Sequence, residues 1–270
     1  ILNPKGTLLP GTQSTVIFDG IFPQTIPLKF PSIQFNNVIC NNTSADGIAL
    51  DSNITPQKIT GNISLVTGTL KTRSYTIAGN SGKFFDIGEN SVLVIGENFS
   101  INGFPTGFIH KISSLSTVIY NGGAQSIEPI NKGYGNLILR GEASKVFTDT
   151  IIVKSDLKIN SPIAENDFTL IMLGNLENNF PKLHLTGTSI FTGNRETFIG
   201  GEEEIAFESL LLNSSGKLQL QNNVRAKNLT IKSGTFDLGN YSIEGQGNFT
   251  LDTETTLQLR GTQRFPAPYN

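Results

Sequence analysis

Short β-rich runs recur about every ten residues along this chain, and few folds can use strands so short. Thr15-Val16-Ile17-Phe18, Val92-Leu93-Val94-Ile95, Thr117-Val118-Ile119-Tyr120, Asn136-Leu137-Ile138-Leu139 and Thr150-Ile151-Ile152-Val153 are typical. Leu210-Leu211-Leu212, Asn228-Leu229-Thr230-Ile231 and Thr256-Leu257-Gln258-Leu259 continue the series. Each is bounded by Gly, Asn, Ser or Asp, the usual punctuation of strands. Alternation is clear in Leu157-Lys158-Ile159, Leu183-His184-Leu185 and Leu218-Gln219-Leu220, where every second side chain faces inward. No segment sustains an apolar period of 3.6, so almost no helix is expected.

The runs belong to larger repeats. Asn62–Gly79 (NISLVTGTLKTRSYTIAG) aligns without a gap on Asn228–Gly245 (NLTIKSGTFDLGNYSIEG), sharing Asn, Gly-Thr, Tyr, Ile and Gly. A second motif, STVIFDG at Ser14, returns as STVIYNG at Ser116 and more weakly as TSIFTG at Thr188. A third, Gly-x-x-x-Phe-Pro, falls near Phe104-Pro105 and Phe265-Pro266. The chain therefore reads as one continuous segment, 1–270, holding three module copies at about 14–115, 116–187 and 188–270. The motif glycines Gly20, Gly122 and Gly193 are unevenly spaced, which suits a coil whose turns accept insertions while its strands stay stacked. Residues 161–187 depart from the pattern, with Ser161-Pro162-Ile163-Ala164-Glu165 standing where Ser-Gly-Thr-Phe-Asp is expected.

Strands this short satisfy their backbones by pairing with the equivalent strand one turn above and below. The expected fold is all-β, a right-handed parallel β-helix (β-solenoid) with rungs of roughly 20–30 residues, at the low end of repeat periods. Gly and Asn would take the left-handed corner conformations, and stacked Asn, Thr or Ser would hydrogen-bond along the axis. The competing fold is a tandem of antiparallel sandwiches, for which Asn102-Gly103 and Asn121-Gly122 would be hairpin turns.

Composition narrows the chemistry. Only 16% of residues are charged and the net charge is −2, so no basic face marks a nucleic-acid partner. No run of 18 apolar residues marks a membrane span. Cys40 is the only cysteine, which rules out an internal disulfide. Its apolar setting, Val38-Ile39-Cys40, reads as a buried thiol. The two histidines, His110 and His184, have no Cys or His at zinc spacing. Glu202-Glu203-Glu204 offers oxygens to Ca²⁺ but reads more simply as a solvated loop. Lys154, Lys158, Asp149 and Asp156 fall on neighbouring rungs, where a polysaccharide lyase or hydrolase gathers such groups; a charged outer face is the plainer account. Tyr75, Tyr120, Tyr134 and Tyr241 could stack on sugar rings, although repeat-equivalent positions favour packing. No catalytic, cofactor-binding or metal residue is assigned, and no enzyme activity is expected.

Together STVIYNGGAQSI, YGNLILRG, NLTIKSGTFDLGNYSIEGQGNF and TTLQLRGTQRFP resemble the repeats of giant Bacteroidota surface proteins, similar to gliding-motility adhesins exported by type IX secretion. The resemblance implies extracellular display at the cell surface, fibre-like stalks, and adhesion to a solid surface or polysaccharide. It supplies no catalytic residues. Asp149-Thr150-Ile151 also resembles a short O-glycosylation motif of that group. Both ends cut through a module, so neighbouring modules of the same long chain are the expected partners. The alternatives are a β-helix carbohydrate-active enzyme and a non-catalytic glycan-binding module.

Overall fold

Backbone pairing between successive turns organises the chain. The computed structural model describes residues 11–245 and 247–260, and its regular elements are all strands. The Phe265-Pro266 motif lies outside the described residues. Two units, Ile1–Gln125 and Ser126–Asn270, are each built of parallel strands stacked as a β-solenoid.

In the first unit, strands Thr15–Gly20, Asn37–Asn42, Ile63–Lys71, Phe84–Ile87 and Ile109–Ile112 follow one another in parallel. Thr15 pairs with Asn37 and Asn41 with Thr67, so a rung takes 22 to 26 residues. In the second unit the rungs are shorter, 18 to 23 residues, as Lys217 with Thr235 and Leu176 with Ile199 show. Val118 pairs in parallel with Leu93, and Leu137 with Leu157. The sandwich alternative fails on these pairings. Its supposed hairpin turns serve the coil instead. The Asn102 amide is buried and donates to Thr72 Oγ1 and to the Arg73 and Tyr75 carbonyls. The Gly122 N–H is taken by Gln125 Oε1.

Parallel register turns alternation into columns. Leu137, Leu157, Leu176, Ile199 and Leu220 lie in register on successive rungs, each at most 1% exposed. In the first unit Phe18, Cys40, Leu65, Ile87 and Ile112 make another column. Cys40 is therefore a buried thiol, and burial pushes its pKa up to about 12. One column carries a flaw. Ser189 sits among Ile151, Leu170, Leu210 and Leu229, and its buried hydroxyl has no partner.

The corners explain the repeated Asn and Gly. Asn37 Oδ1 accepts the Asn62 N–H, and Asn62 Oδ1 accepts the Phe84 N–H, both at 2.9 Å. The second unit repeats the device. Asn136 Oδ1 takes the Asp156 N–H at 3.2 Å, Asp156 Oδ1 the Asn175 N–H at 3.3 Å, and Asn175 Oδ1 the Phe198 N–H at 3.0 Å. Each side chain thus supplies the acceptor that the next rung's bend would lack. The shared Gly-Thr step has an equally local cause. Gly68 and Gly234 have φ of 77° and 87°, and a β-carbon at either would strike the carbonyl of Asn42 or Ser214 on the preceding rung.

Two substitutions test the columns by urea unfolding. Leu157→Ala opens a cavity in a dry stack and should cost about 2–5 kcal/mol. Ser189→Val replaces an unpartnered buried hydroxyl by apolar volume and should raise stability, by roughly 1 kcal/mol. A neutral Leu157→Ala or a destabilising Ser189→Val would contradict the column assignment.

Candidate functional site

The residues singled out by sequence are mostly consumed by the scaffold. Tyr120 and Tyr134 are fully buried, so neither can stack on a sugar; Tyr134 Oη donates to the Glu128 carbonyl at 2.7 Å. Tyr241 is 37% exposed and Tyr75 is half-buried. His110 Nε2 lies 2.8 Å from the Pro105 carbonyl, and its ring meets Phe104 edge-on. Burial pulls its pKa below the ordinary value, opposed by that carbonyl bond. An Nε2–H donor here gives the ring a structural role. His184 points outward between buried Leu183 and Leu185, as alternation requires.

Three of the four charged residues near 149–158 have a local use that is plain. Asp149 Oδ1 accepts the Thr150 N–H at 2.7 Å. Asp156 belongs to the corner ladder. Lys158 pairs across the rungs with Glu177 at 3.0 Å. Burial, then the neighbouring Lys132 charge, lowers the pKa of Lys154. Thr150 is half-buried on the outward side of its strand.

The segment Glu202-Glu203-Glu204 lines a cleft through Glu203 and Glu204. Among the described residues no group of three or more His, Cys, Asp or Glu could hold a metal ion. The acidic run forms part of an open depression of about 310 Å³, lined by Lys182, Leu183, Glu203, Glu204, Ala206 and Arg225. Register explains the depression. His184, Ala206, Arg225 and Glu244 form one outward column on successive rungs, and Ala206 is its smallest member. Arg225 Nε meets Glu204 Oε1 at 2.6 Å on one wall.

The walls are held by a residue that sequence reasoning passed over. Asn178 is fully buried. Its amide donates to the Phe180 and Glu204 carbonyls at 3.0 and 2.9 Å, with a longer 3.4 Å bond to Glu203. Its Oδ1 accepts the Phe180 N–H. Asn178 therefore ties the segment leading to Lys182 to the segment carrying the glutamates. Asn179 Oδ1 adds a bond to the Glu202 N–H at 3.1 Å. The acidic run is a solvent-exposed loop between strands, as expected, and these bonds fasten it as a rim.

Two further buried charges were also missed. Asp237 is fully buried, with Arg260 at 2.6 Å, Lys217 at 3.8 Å and the Gly239 N–H on Oδ1 at 2.9 Å. Lys145 is fully buried as well, and burial pulls its pKa down from 10.5 to about 8. The spacing Lys145-x-Phe147 on one strand, with Phe147 in the core, was the readable signal for its inward direction. Among the described residues no helix is long and apolar enough to cross a membrane. Comparison with protein-family models, curated proteins and solved structures found no match.

Lys145 gives a test with a definite sign. Between about pH 8 and 10.5 the unfolded chain binds more protons than the folded one, so stability should rise with pH across that window. The penalty is full below it, roughly 3 kcal/mol from the size of the shift. Lys145→Met should remove the rise and stabilise the chain at pH 7, as read from urea midpoints at pH 7, 8, 9 and 10. A rise of the same size in the variant would place its origin elsewhere.

Proposed function

We propose that this chain is a structural and adhesive stalk segment of an extracellular bacterial surface protein, attaching to polysaccharide or to a solid surface. The observation that carries this reading is where the repeated residues are spent. The conspicuous Asn and Gly-Thr positions join one rung to the next at the corners. Repetition thus serves the extension of a stack, which is what a stalk requires of its sequence.

The likeness of the repeats to Bacteroidota gliding-motility adhesins supports the same reading, with type IX export and display at the cell surface. The partners that go with this reading are neighbouring modules of the same kind. The outer faces carry the chemistry for contact with a surface. Cross-rung ion pairs such as Lys158–Glu177 and Lys227–Glu208 keep these faces polar without a large net charge.

Adhesion is tested with beads bearing the whole chain, perfused over agarose, alginate, chitin and bare glass, against albumin-coated beads. Retention at least tenfold above albumin on one of these surfaces is expected. Retention equal to albumin on all four would overturn the adhesive reading. Release of new reducing ends from a soluble polysaccharide would replace it with the carbohydrate-active enzyme.

A further inference from the structure

The cleft beside Ala206 has features that a merely solvated face does not need. Its floor is a methyl group where the outward column otherwise presents His184, Arg225 and Glu244. Its rim is fixed by the fully buried Asn178 amide, which reaches the carbonyls of both Phe180 and Glu204. A polar side chain placed in the core to fasten an exposed rim costs stability unless fully bonded, and here its bonds go to the two segments that frame the cleft. Preorganised walls of this kind lower the ordering cost of binding.

The charges around the floor define what fits. Glu204 is engaged by Arg225 Nε, which leaves the guanidinium's remaining N–H groups free to donate. Lys182 and Glu203 have no ion-pair partner among the described residues. The lining thus mixes donors (Lys182, Arg225) with acceptors (Glu203, Glu204) around an apolar patch. An anionic ligand would meet the two carboxylates, and a cationic one would meet the ammonium and guanidinium. A hydroxyl both donates and accepts, so adjacent hydroxyls satisfy both kinds of wall at once. The stem of Arg225 and the Ala206 methyl offer an apolar surface to C–H groups. A volume of about 310 Å³ lies at the small end of ligand pockets, which run from about 300 to 1,000 Å³.

We propose that the cleft formed by Lys182, Glu203, Glu204, Ala206 and Arg225 binds one neutral pyranose unit of a polysaccharide. This deepens the adhesive reading by giving it a contact point, and it rests on that reading only for its biological use. Binding of short oligosaccharides to the chain in solution is measured apart from bead retention, so either result can fail alone.

The test is titration of the whole chain with cellohexaose, mannohexaose and laminarihexaose, followed by ligand-observed NMR, with trigalacturonate as the anionic comparator. Saturable binding of at least one neutral hexasaccharide is expected. Ala206→Phe, an outward substitution that fills the floor without touching the core, should weaken it at least tenfold. Lys182→Met combined with Glu203→Gln should weaken it by a similar factor, with an unchanged circular dichroism spectrum in both variants. No binding of any neutral hexasaccharide at millimolar concentration would overturn the proposal. So would binding indifferent to Ala206→Phe, or binding of trigalacturonate alone.

Discussion

Everything in this molecule depends on parallel pairing between rungs whose equivalent residues lie 18 to 26 positions apart. A strand of three or four residues, such as Leu157–Asn160 or Leu176–Asn178, has too few bonds to persist alone. Stacked between two equivalents, its N–H and C=O groups all find partners. The register that follows is strict, because a slip of one residue would turn every core side chain outward. Columns, corner ladders and the outward rows are consequences of that register.

Much of this was readable from pattern. The runs at Val92, Thr117 and Thr150 coincide with strands Val92–Ile95, Thr117–Tyr120 and Thr150–Val153. Alternation placed Leu183 and Leu185 inward and His184 outward. The repeated Asn and Gly announced corners because each has a local physical job. The tyrosines were harder. Tyr120 follows the same alternation as Val118, whereas Tyr134, three residues before Leu137, falls out of that alternation and is buried all the same. Its hydroxyl donates to a backbone carbonyl within its own rung.

The cleft could not be seen in advance for a geometric reason. It is made by residues from three rungs, Lys182, Ala206 and Arg225, whose juxtaposition follows from a rung length that varies by several residues. Pairing of His184 with Ala206 spans 22 positions and that of Ala206 with Arg225 spans 19. Asn178 was hidden by the same variability. It occupies a core position in register with Ile159, where an aliphatic residue is expected, and its amide instead braces two loops. Lys145 and Ser189 are similar departures. Each puts a polar group where the column asks for hydrocarbon, and the Ser189 hydroxyl has no hydrogen-bond partner there.

The corner ladder has a mechanical side. Because each Asn carbonyl reaches the backbone of the following rung, tension on the chain must break those side-chain bonds along with the strand pairing before a turn can unwind. A turn that came free would release around twenty residues of slack, so the load needed to lengthen the stack is set rung by rung by these bonds together with the strand pairing.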